Sequence, residues 1–344
     1  MKFLRKSGNY FFLVLMPLVF ISVLAIALSG CCLNLSSLVS TTTQTARTSG
    51  EGTQATDSTT GESGARKDTA AQETDDQSGL EGIDGSIATE FKKMVKDGKD
   101  PLNLLEYIDA NIDKINTEAA TYMVGEAIRL SEEKKFEFSD KFYKGGVQDK
   151  ILNALGGSYE VDMVKLINAK DAELKALIDE TVARKYKVLS TEGVFIPLVD
   201  YAAYGVYYDY IDDELKDFIS VYLDESNQPS ILDAGVVVSI NEFLKRIDKA
   251  FGYLENYPDS PRFDKVKQLN GGRLNVYLGG IDNTPVFDGS NKIYPEKLTE
   301  MKAFAQQYSG TKLGKVLDDY LALLAKENYK KTSNVDDFLA ALYS

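Results

Sequence analysis

Beyond about residue 86, apolar side chains recur at spacings of three and four, the period of amphipathic helices. Ile87, Phe91 and Met94 start the first stripe, with Ser86 read as its N-cap. Asp100-Pro101 then supplies a cap and a proline at the first helical position, ahead of Leu105, Ile108, Ile112 and Ile115. The same spacing predicts helices over 117–133, 148–155, 161–167 and 171–185, with Gly145-Gly146 and Gly156-Gly157 as breaks. Residues 212–223 read as a further helix, stopped by Asn227-Gln228-Pro229. Ser239-Ile240-Asn241-Glu242 is a capping box opening one that runs to about Asn256. Residues 236–240 form the one β-like run, too short and isolated to predict a sheet. The expected class is therefore all-α, and a parallel α/β fold is disfavoured.

A gapless shift of 51 residues aligns parts of the last third with themselves. It places Arg246 on Lys297, Ile247 on Leu298, Ala250 on Met301, Tyr253 on Phe304, Tyr257 on Tyr308, Ser260 on Thr311, Val266 on Leu317 and Leu269 on Tyr320. Two antiparallel helix hairpins are expected, each with a three-residue connection. Ser260 or Thr311 would cap the second helix, with Pro261 at its first position in the first copy. Tyr257-Pro258-Asp259-Ser260-Pro261 resembles the inter-helix turn of tetratricopeptide-like bacterial lipoproteins that act as envelope assembly scaffolds. That resemblance implies hairpins stacked in a tetratricopeptide-like or irregular α-solenoid arrangement. The consensus Trp, Leu-Gly and Tyr positions are missing, and Gly271-Gly272 falls where the second helix of the first hairpin should run. The chain divides on this reading into an N-terminal helical region, 86–235, and a C-terminal hairpin region, 236–344.

The first thirty residues follow a different logic. Lys2, Arg5 and Lys6 precede an apolar run from 11 to 28, then Ser29, Gly30 and Cys31, the three-part pattern of an export signal. Leu28-Ser29-Gly30-Cys31 resembles the lipobox of bacterial lipoproteins. The resemblance implies cleavage before Cys31 and a diacylglycerol thioether on it, hence an extracytoplasmic protein held at the membrane by lipid. The alternative is an uncleaved anchor, since about 18 apolar residues just span a bilayer. Cys32 has no intrachain partner once Cys31 is modified, so no internal disulfide is expected. Two acyl chains give durable anchoring where one is marginal.

From Leu33 to Leu80, 18 of 48 residues are Ser or Thr, and no aromatic occurs anywhere from Leu33 to Glu90. Such a stretch cannot bury enough apolar surface to offset its ordering entropy, so residues 31–85 are expected to act as a disordered tether. Its root-mean-square span would be roughly 40 Å, with full extension on the order of 160 Å.

Composition narrows the chemistry. The chain has 344 residues, 39 basic and 52 acidic side chains, a net charge of −13 and no histidine. Histidine-dependent triads, the commonest zinc ligand and the usual neutral-pH proton shuttle are excluded. The acidity argues against a nucleic-acid partner, and cleavage before Cys31 raises it to −16 by removing three basic residues. It also argues against anionic headgroups as the means of attachment.

Ser131-Glu132-Glu133-Lys134 has Ser-x-x-Lys spacing, but the Ser-Asp-Asn and Lys-Thr-Gly partners are absent. Gly310 to Lys315 departs from a phosphate loop by one residue and reads as a helix start. Asp282, Asn283, Asp288, Ser290 and Asn291 offer oxygen ligands without EF-hand order and read as a solvated loop. Neither a metal nor a cofactor is expected.

The suggestive constellation is aromatic and acidic. Tyr201, Tyr204, Tyr207 and Tyr208 with Asp200 and Asp209 form a possible ligand-binding set, near Glu192, Phe195 and Tyr210. Paired carboxylates beside aromatic faces suit a sugar cleft. On an α-helix Tyr201, Tyr204, Tyr208 and Ile211 would share one face, which equally describes core packing with hydroxyls at the rim. The expected function is a non-catalytic binding or scaffolding module for a protein, peptide or wall polymer. Solute or glycan binding, and a carboxylate-dependent wall hydrolase, are the alternatives.

Overall fold

The computed structural model describes residues 83–343. The export signal at 1–30, Cys31 and the tether as far as residue 82 lie outside the described residues. Helix α1 (Ile83–Lys96) takes in the last three residues assigned to the tether, and Ser86 sits within it rather than capping it.

Helix boundaries follow side-chain caps. In α2 (Pro101–Asn111), Asp100 accepts the Leu102 N–H at 2.8 Å and proline opens the helix. Asn116 caps α3 (Thr117–Ser139), Asp162 caps the short α5 (Met163–Ile167), Asp171 caps α6 (Ala172–Ala183) and Asp212 caps α7 (Asp213–Asn227). Between them α4 (Val147–Ala154) starts from Gly146 in the left-handed region. Each cap satisfies amides the helix cannot bond itself, contributing about 1 kcal/mol.

A β-hairpin that the pattern did not predict follows α6. Strands β1 (Tyr186–Thr191) and β2 (Val194–Val199) pair antiparallel, with Thr191 opposite Val194. The two-residue turn Glu192-Gly193 has φ of 49° and 74°, both positive, as a type I′ hairpin turn requires. Pro197 stands on the outer edge of β2, where its missing N–H forfeits no ladder bond. Gln148 covers that edge at Phe195, accepting its N–H and donating to its carbonyl, both at 2.8 Å. The expected run at 236–240 contributes only Val236 to a minimal second hairpin, β3 (Ile231–Leu232) with β4 (Gly235–Val236). The fold remains predominantly all-α.

The C-terminal region consists of helix pairs. Helix α8 (Ile240–Asn256) packs on α9 (Phe263–Gly279), α10 (Pro295–Gln307) packs on α11 (Lys312–Lys326), and α12 (Ser333–Ala341) closes against α9. Thr311 caps α11 as expected, at 3.1 Å from the Gly314 amide. The first hairpin differs. Its connection spans 257–262 rather than three residues, Ser260 accepts from the Arg262 amide, and Pro261 lies ahead of the helix. Ser260 is diverted because its hydroxyl also bonds Glu214 on α7. Gly271-Gly272 does not interrupt α9. A Cβ on Gly271 would lie 2.5 Å from the Leu342 carbonyl oxygen, so the glycine admits the end of α12.

Two apolar cores result. The first runs from Phe91 on α1 through Ile108, Met123, Ile151, Ile178, Phe195 and Phe218. The second gathers Leu274, Leu278, Met301, Leu313, Leu317, Leu324 and Val335. They meet on α8, which gives Phe243, Leu244 and Ile247 to the second core and Ala250 and Tyr253 to the first.

Candidate functional site

The tyrosine segment is a 3-10 helix (Tyr201–Tyr207), not the α-helix the spacing predicts. Three residues per turn align Tyr201, Tyr204 and Tyr207, and Tyr208 leaves the row. Those three are buried, Tyr208 is half-buried and Asp209 is exposed, so the structure does not gather the proposed set into one face. Asp200 caps the 3-10 helix and pairs with Lys187 at 3.2 Å, while Glu192 stands at the hairpin tip.

The three buried phenols of this segment and that of Tyr186 are committed inside the protein. Tyr201 donates to Glu132 at 2.8 Å, Tyr204 to the Ser131 hydroxyl at 3.2 Å, Tyr207 to Asp109 at 2.6 Å, and Tyr186 to the Ser131 carbonyl at 2.6 Å. The row continues onto α7 and α8. Tyr201 stacks on Tyr222 with centroids 5.0 Å apart, Tyr222 contacts Phe218, and Phe218 contacts Tyr253, which bonds Glu214. Burial pushes the Tyr201, Tyr204, Tyr207 and Tyr222 phenols above their ordinary range. For Tyr207 the Asp109 carboxylate adds to that effect.

Cations cover the row. The Lys185 ammonium lies 4.8 Å from the Tyr207 centroid, and Lys265 lies 5.2 Å from Tyr222 and 5.6 Å from Phe218. Burial lowers both lysine pKa values, only partly opposed by Asp109 and Asp200 at Lys185 and by Glu132 at Lys265. Lys185 also holds φ at 54°, a left-handed position where glycine is the usual occupant. The arrangement is a chain of rings with carboxylates on its hydroxyls and cations on its faces, a set of ties linking α2, α3, α7, α8 and the β-hairpin. Ser131 shares no site with Lys134, which is paired with Glu137 on the surface at 2.8 Å.

A second polar group lies where the cores meet. Arg273 donates to Glu225 at 2.8 Å and to the Arg246 carbonyl at 3.2 Å; Arg246 reaches Glu242 at 2.9 Å and the Gln228 carbonyl at 2.6 Å. Arg246 and Arg273 are both buried, at 5% and 2% exposure. Burial raises the Glu225 pKa, but Arg273, Ser230 and Arg246 outweigh it and hold the carboxyl below its usual range. Sequence reasoning missed this trio, although Arg246 interrupts the apolar stripe Phe243, Leu244, Ile247 and Ala250, a visible signal of a buried charge.

An open concavity lies elsewhere. A depression of about 570 Å³ between α4, α5 and α6 is lined by Lys150, Asn153, Lys165, Asn168, Lys170 and Leu174, among others. Lys150 is already paired with Asp171 at 3.3 Å and with Glu173. The oxygen-rich loop separates into two turns: Asn283 bonds the Asp233 carbonyl, while Asp288 accepts the Ser290 hydroxyl and the Ser290 and Lys292 amides. Among the described residues no group of three Cys, Asp or Glu side chains is placed to hold a metal ion, and no helix is long and apolar enough to cross a membrane. No protein-family model, curated protein or solved structure matches the chain.

Proposed function

We propose that the chain is an extracytoplasmic lipoprotein, attached to the membrane through Cys31, whose helical body is a non-catalytic binding or scaffolding module of the cell envelope. The lipobox-like run Leu28-Ser29-Gly30-Cys31, ahead of a Ser/Thr-rich segment and a helical body, carries this reading. The Ser/Thr-rich segment is the tether that lets the body reach a protein, peptide or wall polymer away from the headgroups. The buried phenols and their carboxylates support it from inside, since they serve as ties between helices.

Crosslinking in intact cells tests it, comparing the full chain with a chain ending after the tether. The expected result is envelope material recovered only with the full chain. Recovery of equal material by both, with wall fragments released by the purified protein, would replace the module with the hydrolase alternative.

A further inference from the structure

One helix face concentrates unpaired polar atoms. Among the described residues, four buried side-chain nitrogen or oxygen atoms have no hydrogen-bond partner within the protein: both amide atoms of Asn270, the Nε of Arg273 and the phenol oxygen of Tyr277. All four belong to α9. Residues 270, 273 and 277 succeed one another at spacings of three and four, so they stand in one row along the helix. None of the three residues is more than 4% exposed.

The row crosses the boundary between the two cores. Val266, one turn before Asn270, belongs to the first core, whereas Leu274, Tyr277 and Leu278 belong to the second. Arg273 stands in the middle of the row and is also a member of the buried trio. Its terminal nitrogens donate to Glu225 at 2.8 Å and to the Arg246 carbonyl at 3.2 Å, while its Nε–H is left over. A buried donor or acceptor that gives up its bond to bulk water and gains none in exchange is costly, and folded proteins pair nearly all such atoms. Four orphans on three neighbouring side chains of a single helix therefore mark a place with an occupant.

The chemistry of the row selects that occupant. Arg246 and Arg273 bring two positive charges, and Glu225 and Glu242, bonded to them, bring two negative ones, so the group needs no ion for neutrality. The amide oxygen of Asn270 accepts, whereas its nitrogen and the Arg273 Nε–H donate. An anion would leave the oxygen unsatisfied, and a cation would leave the donors so. Water both donates and accepts, and it is the ligand that buried polar groups ordinarily share.

We infer that ordered water is bound along this row, with at least one molecule bridging the Asn270 amide and the Arg273 Nε–H. That molecule completes the hydrogen bonding of the guanidinium and so helps to hold it on Glu225 and on the Arg246 carbonyl. Solvent is then a component of the joint between the two cores.

A high-resolution crystal structure of the full chain, purified in neutral detergent and grown in the presence of bromide, tests this. The expected result is a water oxygen within about 3.2 Å of both the Asn270 amide and the Arg273 Nε, without anomalous signal. Absence of density between the two groups, direct bonds from both to protein atoms, or bromide at that position would overturn the inference. Melting temperature gives a second readout. Asn270→Leu expels the water and strands the Arg273 Nε–H, so the variant should melt roughly 2 °C or more below the wild type. On a dry row the same substitution deletes an unsatisfied amide, and an unchanged or higher melting temperature would contradict bound water. If the variant does not fold, the density in the wild-type crystal decides.

Discussion

The two cores are held together in different ways. The first is rich in tyrosine, and its hydroxyls reach partners 55 to 98 residues away: Tyr186 to Ser131, Tyr201 to Glu132, Tyr204 to Ser131 and Tyr207 to Asp109. The second is mainly aliphatic and is built from successive helix pairs, with Tyr320 reaching the Leu278 carbonyl at 2.8 Å. In the first core two carboxylates accept from phenols, Glu132 from Tyr201 and Asp109 from Tyr207. The second region contributes Arg246 and Arg273, whose buried guanidiniums meet Glu225 of the first. The difference sets phenols bonded to carboxylates in the first core against mainly aliphatic packing in the second.

Cutting the joint between the cores should have the largest effect. Glu225→Ala strips the buried Arg246 and Arg273 of their shared carboxylate, and breaking a buried ionic group typically costs about 3 to 5 kcal/mol. Chemical denaturation should show the loss in both regions at once. A loss confined to one region would contradict a trio shared between them.

Next in size is the alkaline limit. Tyrosines in the unfolded chain ionise near 10, whereas burial raises the Tyr186, Tyr201, Tyr204, Tyr207, Tyr222 and Tyr253 phenols of the first core above that value. The folded state favours the neutral form, so their contribution is complete below about pH 10 and is lost as pH rises toward the folded values. Ultraviolet absorbance should show a cooperative tyrosinate rise coincident with loss of helical circular dichroism. Tyr257 is less buried and is pushed up to about 12 by its bond to Asp217, so it ionises within the same window. Gradual ionisation with the fold intact would refute the cross-linking role.

A smaller effect tests one tie. Tyr207→Phe removes the bond to Asp109 and should cost about 1.5 to 3 kcal/mol, the range for hydrogen bonds to charged groups. The smallest concerns Lys185. Alanine removes its ring contact and keeps the left-handed strain, whereas glycine removes both, so Lys185→Ala should be about 1 kcal/mol less stable than Lys185→Gly. Equal stability of the two variants would show that backbone strain at 185 is negligible.

Much of the helical architecture was legible. The period of three and four located most helices, and Asp100, Ser239 and Thr311 cap where predicted. The β1–β2 hairpin escaped because Glu192 and Phe195 read as members of an aromatic and acidic set rather than as parts of a turn and a strand. Tyr201, Tyr204 and Tyr208 read as one α-helical face because a spacing of three fits both helix types, and the two part only where Tyr207 takes the place of Tyr208. The acceptors of Tyr201 and Tyr207 were beyond reach of any local reading: Asp109 and Glu132 belong to distant helices that only tertiary packing brings alongside.

The functional account depends most on where the mature chain begins and what it carries. Mass spectrometry of the N-terminal peptide from membranes measures this directly. The account predicts a chain starting at Cys31 with a diacylglycerol thioether, and release of the protein from membranes in Cys31→Ser. A chain that retains Met1 and an unmodified Cys31 would contradict it.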